Sequence, residues 1–170
     1  MEFLELVRKR HSVRKYSTRK VEEEKLLKIL EAGRLAPTAV NFQPQRLIVV
    51  QKEEGMEKLK KCNASTYGAP LVIIVCGDHN VVWKRRQDNK DFLDIDVSIV
   101  TDHMMLEAAD LGLASVWIGS FDPDMIKREF NLPDNVEAIN ILAIGYETDD
   151  NTKVDKNRKP LEEIVHYETY

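Results

Sequence analysis

Asp94-Ile95-Asp96-Val97-Ser98-Ile99-Val100-Thr101-Asp102-His103-Met104-Met105-Leu106-Glu107-Ala108-Ala109-Asp110-Leu111 carries apolar side chains on more than one helical stripe. Ile95, Ile99, Leu106 and Ala109 form one; Val97, Val100, Met104, Ala108 and Leu111 form another. A helix that is apolar most of the way round is covered on most sides. In a chain of 170 residues this predicts a central helix, shared with a second subunit. Gly112 is placed to end it as the C′ residue.

Outward from this helix, the apolar runs at 46–51, 71–76, 114–118 and 136–146 read as strands. Helical spacing of Phe3, Leu6, Val7 and Arg10 predicts a short helix over 2–10. Residues 21–35 predict an amphipathic helix with Leu26, Leu27, Leu30 and Ala36 on the apolar side and Glu22, Glu23, Lys25 and Lys28 in solvent. Residues 53–61 read as helical, and Asp122-Pro123 pairs an N-cap acid with an N1 proline to start another helix that runs to about residue 130. Residues 37–45 form a polar, irregular loop. Residues 78–93 have no clear period and read as a loop or mobile flap. Strands separated by helices, with no repeat and no linker, predict one α+β domain over 1–170 with helices around one sheet.

Composition narrows the function. A net charge of -4 argues against a general nucleic-acid binder, which needs a broad basic surface. Acids at Glu2 and Glu5 occupy the place of a signal peptide's basic region, and no apolar run reaches the roughly 18 residues of a membrane span. Cys62 and Cys76 have neither metal-ligand spacing nor a disulfide framework; Cys76, closing the run Leu71-Val72-Ile73-Ile74-Val75, reads as core. A cytoplasmic protein with no membrane and no nucleic-acid partner is expected. His79, His103 and His166 lack ligand spacing and read as surface or packing residues, with no metal. Neither a Gly-x-Gly-x-x-Gly fingerprint nor a P-loop lysine is present.

Four polar clusters stand out. Arg10-His11-Ser12-Val13-Arg14-Lys15-Tyr16 sets two guanidiniums, an imidazole and a hydroxyl within five residues. It reads either as solvated surface or as a phosphate cradle, because arginine's planar fork suits phosphate oxygens. The others are Pro37-Thr38-Ala39-Val40-Asn41-Phe42-Gln43, Trp117-Ile118-Gly119-Ser120-Phe121-Asp122 and Lys156-Asn157-Arg158-Lys159. Trp117 reads as a core aromatic rather than a stacking platform.

In this order and spacing the clusters resemble the nitroreductase family of flavin-dependent oxidoreductases. The resemblance runs from residue 4 to 167. It rests on Arg10-His11-Ser12-Val13-Arg14, on residues 36–44, on Leu111-Gly112-Leu113-Ala114-Ser115-Val116-Trp117-Ile118-Gly119, and on Arg158-Lys159-Pro160-Leu161-Glu162-Glu163-Ile164-Val165. It implies a three-layer α/β/α sandwich around a central mixed, mostly antiparallel sheet, with tightly bound FMN as cofactor and NAD(P)H as electron donor. By resemblance, Arg10, Ser12 and Arg14 match the N-terminal contacts to phosphate and isoalloxazine, with His11 an accepted alternative to arginine. Lys156 and Arg158, with Lys159 beside them, match the C-terminal basic group. Pro37, Thr38, Ala39, Asn41 and Gln43 match a loop that reaches the flavin held mainly by the partner subunit.

Ile118, Gly119 and Ser120 match the loop whose backbone N–H faces flavin N5. Gly119 is the expected donor because the absence of Cβ permits close approach. Ser120, Thr38 and Val40 depart from the usual glycine, serine and smaller residue. No side chain is expected to be catalytic, since the flavin carries the chemistry. The resemblance further implies a homodimer with FMN at the interface, and a tail over about 160–170 that extends along the partner. It implies ping-pong reduction of nitroarenes, quinones or similar acceptors. A flavin-binding or redox-sensing protein with little turnover, and a specialised flavin enzyme of the same fold, stay open. Lys84, Arg85 and Arg86 read either as a solvated run or as a 2′-phosphate site.

Overall fold

The computed structural model describes residues 2–148 and 156–170. Its elements in order are α1 (Phe3–Lys9), α2 (Glu23–Leu35), β1 (Gln45–Val50), α3 (Glu53–Lys61), β2 (Leu71–Asp78), α4 (Leu93–Asp110), β3 (Ala114–Ile118), α5 (Pro123–Glu129) and β4 (Val136–Gly145). Two 3₁₀ turns, Ala39–Asn41 and Leu161–Glu163, complete them.

The strands form one sheet in the order β1-β2-β4-β3, and each pairing is antiparallel. The parallel pairing among the described residues is an isolated bridge between Ser12 and Ser115. All eight residues of β2 are buried, because helices cover both of its faces. Period-two alternation divides them. Leu71, Ile73 and Val75 pack with Leu142 and Ile144 against Ile29 of α2 and Val97, Val100 and Met104 of α4. Val72, Ile74 and Cys76 face the other way, toward Leu59 and Cys62 beside α3 and Ile126 of α5. Three layers result, and each fully buried Leu or Ile contributes roughly 1.5–3 kcal/mol.

Helix α4 begins at Leu93, one residue ahead of the expected start. It ends as its sequence predicts. Gly112 takes φ +74, its N–H donates to the Ala109 carbonyl at 3.1 Å, and Leu113 N–H donates to the Ala108 carbonyl at 2.9 Å. This paired closure satisfies carbonyls that the last turn leaves open. Asp122 also caps α5 as expected, its carboxylate accepting from Met125 N–H at 2.9 Å.

One expectation is corrected and another refined. Leu27 is 58% exposed, whereas Ile29 is fully buried; the buried stripe of α2 runs Leu26, Ile29, Gly33, at spacings of three and four. Residues 79–92 are loop for most of their length, as expected, but carry local order. Asp78 closes β2, and a bridge between Lys84 and Asp91 closes a small hairpin. Trp83 and Phe92 pack edge to face with centroids 4.7 Å apart at its base.

A register shift against β4 at Val75 and Cys76 turns both Ile139 and Asn140 toward α4. There Asn140 Oδ1 accepts from the Thr101 hydroxyl at 3.0 Å. The segment before α2 closes the edge of the sheet beyond β3. Val13 N–H donates to the Ser115 carbonyl at 3.0 Å, and buried Tyr16 donates its hydroxyl proton to the Ala143 carbonyl at 3.3 Å.

Candidate functional site

Where α1 ends, the chain turns extended at Arg10 (φ -55, ψ 127) and runs beside β3. Alternation follows: Val13 is 2% exposed and enters the core, while Arg14 stays in solvent. Arg10 is half-buried, its Nη1 lying 3.7 Å from Met105 Sδ of α4. Lys156 arrives from the far end of the chain and donates to the Arg8 carbonyl at 3.5 Å.

The electrostatics of this corner are unfavourable. Burial lowers the pKa of Arg10 below its ordinary value, and the positive charge of Arg158 lowers it further, with Asp102 partly opposing. Lys156 is lowered from 10.5 by burial and then by Arg10 and Arg158. Three cations thus converge from both ends of the chain, and the charged forms of Arg10 and Lys156 are destabilised. Such a cluster is a ready receptor for a multiply charged anion, which would reverse the sign of the interaction.

The remaining basic residues of these two clusters are otherwise engaged. Both ring nitrogens of His11 lie 3.1 Å from acceptors, Nδ1 from the Lys9 carbonyl and Nε2 from Glu147. His11 therefore straps segment 10–14 to the end of β4. Lys159 lies 3.7 Å from Glu163. Arg14 stands over the Tyr67 ring at 5.9 Å, and Ser12 sits on β3 through its bridge to Ser115.

Strand β3 links this corner to the third cluster. From Ser115 to Gly119 an extended chain covers ~13 Å at about 3.3 Å per residue. That is a span for an elongated phosphorylated ligand. At the far end Gly119 and Ser120 are exposed. A Cβ built on Gly119 would meet nothing within 4 Å, so the protein itself imposes no steric need for glycine there, and the space is open to a ligand. Ile118 is only 6% exposed and packs in the core. Its contribution to a site is limited to main chain. Trp117 is half-buried rather than fully core, lining a polar cleft of about 370 Å³ with Asp94, Ser98 and Asn140.

The loop at 37–43 is built on its own hydrogen bonds. Thr38 Oγ1 accepts from Gln43 N–H at 3.0 Å, and the Gln43 amide donates to the Asn41 carbonyl at 3.1 Å. Val40, Asn41 and Gln43 take left-handed φ of 53, 59 and 54, an uncommon state for a β-branched residue such as Val40. Pro37 and Phe42 are exposed and Thr38 is partly so. Arg46 ties the loop to the sheet, donating to the Gln43 carbonyl at 3.2 Å and to Asp78 at 2.9 Å.

Three acids that the sequence reading did not name now matter. Ala39 N–H donates to Asp96 Oδ1 at 2.9 Å, the charge of Asp102 acts on Arg10, and Glu147 holds His11. An acid inside the most apolar helix was the available signal for the first two. In the hairpin, Arg85 is committed to Asp88 through two hydrogen bonds, which leaves Lys84, Arg86 and Lys90 as its exposed cations. His79 pairs with Glu137 at 2.8 Å, His103 bonds the Ile99 carbonyl at 2.9 Å, and His166 packs on Tyr170. Among the described residues no cluster of His, Cys, Asp or Glu could hold a metal, and no helix is long and apolar enough to cross a membrane.

Helices on both faces of one antiparallel sheet make this a three-layer α/β/α fold. The sequence profile of the nitroreductase family matches residues 7–65 and 57–146, and the chain belongs to that family. A nitroreductase family protein from Clostridium difficile 630 is 56% identical over 100% of both chains, with a TM-score of 0.95. A relative from Methanothermobacter thermautotrophicus, provisionally named an NADH dehydrogenase/NAD(P)H nitroreductase, is 35% identical over 86% of this chain and 78% of its own length. A structure named FMN-dependent nitroreductase, from Clostridium difficile R20291, is 28% identical over 98% of this chain and 99% of that one, with a TM-score of 0.82.

Proposed function

We propose that the protein is an FMN-dependent NAD(P)H oxidoreductase that reduces nitroaromatic, quinone or similar acceptors by a ping-pong mechanism. The observation that carries this reading is the convergence of Arg10, Lys156 and Arg158. Together with the open space around Gly119, these residues fit an elongated ligand with a dianionic phosphate at one end. The FMN-dependent relative supports the choice of ligand. When bound, FMN supplies hydride acceptance and donation.

The chain's own part is to hold and expose that group. Arg10, Ser12, Lys156 and Arg158 neutralise the phosphate, and Arg14 supplies positive charge to the ring. The Gly119 main chain offers an N–H, with Ser120 beside it. Pro37, Thr38, Ala39, Asn41 and Gln43 of a partner subunit complete the binding surface in a homodimer. Lys159 and His11 serve from outside the phosphate group.

Two surfaces support dimerisation. Ile95 on the outer side of α4 is 38% exposed, and the tail presents Leu161, Ile164 and Tyr167 at 68%, 59% and 85%. Among the described residues strand β1 has one neighbour in the sheet, which offers its other edge to the tail of a second copy. The two cysteines are free and buried, and burial raises the pKa of Cys76 to about 12; unreactive thiols suit a reducing cytoplasm.

Steady-state oxidation of NADH and NADPH tests the activity. Turnover of the flavin-stripped protein should require added FMN and an acceptor such as menadione or nitrofurazone, with parallel double-reciprocal lines. Flavin uptake without turnover would favour a binding or sensing protein instead.

A further inference from the structure

We infer that Asp96 is a positioning residue for the loop 37–43, holding the Ala39 main chain where that loop meets bound flavin. The inference rests on the FMN reading above. Its ground is a pair of features that make little sense for stability alone.

The first is the loop. Three residues other than glycine hold left-handed backbone within it: Val40, Asn41 and Gln43. Strained backbone persists where the surroundings over-determine it. Here the link to the helical layer is Ala39 N–H to Asp96 Oδ1, 2.9 Å long, with Arg46 anchoring the other end at the Gln43 carbonyl.

The second is the cost of the anchor. Asp96 is 1% exposed, and among the described residues its second oxygen, Oδ2, has no hydrogen-bond partner. A buried carboxyl with half of its capacity unmet destabilises a helix whose neighbouring buried positions, Leu93, Val97 and Val100, are apolar. Burial raises its pKa, and the Ala39 N–H pulls it back in part. An apolar side chain at 96 would suit the core better, but would release the loop. A stability cost at a residue that fixes a strained ligand-facing segment is the expected form of a trade between stability and function.

The test uses purified, flavin-stripped full-length protein and the variants Asp96→Ala, Asp96→Asn, Ala39→Pro and the double Asp96→Ala/Ala39→Pro. Proline at 39 removes the donor from the other side. Thr38 at φ -129 and ψ 158 already has the extended backbone a residue before proline needs. Three quantities are read: FMN affinity by fluorescence quenching, the midpoint potential of bound flavin, and Tm of the stripped protein.

Asp96→Ala and Ala39→Pro should each weaken FMN by about tenfold, the size of one lost hydrogen bond to a charged group. The double variant should lose no more than either single one. Asp96→Asn, which keeps an acceptor oxygen, should stay within about threefold of the parent, and Asp96→Ala should melt no lower than it. A lower Tm with unchanged FMN affinity and potential would overturn the assignment, as would additive losses in the double variant. Parent protein that takes up no FMN would overturn the flavin reading itself, and this inference with it.

Discussion

Replacing Arg158 by alanine removes one of three cations that meet at the end of β3 while touching nothing in the core. Arg158 is solvent-exposed, and its charge acts on Arg10 and on Lys156. Two effects of opposite sign follow. In the ligand-free protein the substitution relieves repulsion, so Tm should not fall. In the complex it deletes a charge-assisted hydrogen bond to phosphate, worth about 1.5–3 kcal/mol, which weakens FMN by roughly 10- to 150-fold.

Riboflavin, which lacks the phosphate, makes the contrast decisive. Its affinity should be the same for parent and variant to within about twofold. Linkage adds a pH signature. Lys156 titrates below 10.5 in the free protein, and a bound dianion pulls it back up, so binding takes up a proton in the alkaline range. FMN affinity should decline as pH rises there, and Lys156→Ala should flatten the decline. Fluorescence titration with both flavins measures all of this. Equal losses for FMN and riboflavin, or no loss for either, would refute the assignment of this corner to the phosphate.

Other consequences are open to simpler assays. A Cβ at position 77 would lie 2.5 Å from Leu93 Cδ1, in a place with no free volume, so Gly77→Ala should cost about 1–3 kcal/mol and lower Tm by roughly 2–12 °C in a thermal melt. Glu22 accepts from the Tyr146 hydroxyl at 2.6 Å and from Arg19, which depresses its pKa from 4.5 to about 2, the tyrosine bond contributing most. A depressed carboxyl stabilises the fold above pH 4.5 and loses that contribution as pH falls toward 2. Glu22→Gln should therefore show a shallower loss of stability across this window in acid-induced unfolding. Truncation after residue 159 removes the exposed apolar residues Leu161, Ile164, Val165 and Tyr167. It should shift the sedimenting species from twice 19.6 kDa toward a single chain; an intact chain that sediments as a monomer would contradict the dimer.

The fold was legible wherever burial sets a period. The strand at 114–118 and the helix at 53–61 match their expected limits, since an apolar run or an amphipathic stripe specifies each alone. Leu27 misled because adjacent leucines in α2 offer two stripes, and Gly33, which lets Met104 approach, decides between them only in three dimensions. The order within 78–93 was hidden for a similar reason. It comes from one Trp–Phe contact and a short backbone ladder, neither of which leaves a period.

In the site, the meeting of Arg10 with Lys156 and Arg158 joins segments about 145 positions apart, a separation that residue-type clustering suggests only through resemblance. Sequence could not tell Lys159 and His11 from them, because their partners Glu163 and Glu147 look like any other surface acids. Asp96 left only the mark of an acid within the most apolar helix. A carboxylate in a helix reads as a solvated face until its neighbours are seen to be buried.

The most direct test of the central claim is anaerobic. FMN-loaded protein is mixed under argon with NADH or with NADPH, and the visible flavin band is followed. The account predicts rapid bleaching by at least one nicotinamide, and recovery of the band when menadione or a nitroarene is added. A flavin that binds but keeps its colour with both donors would contradict it.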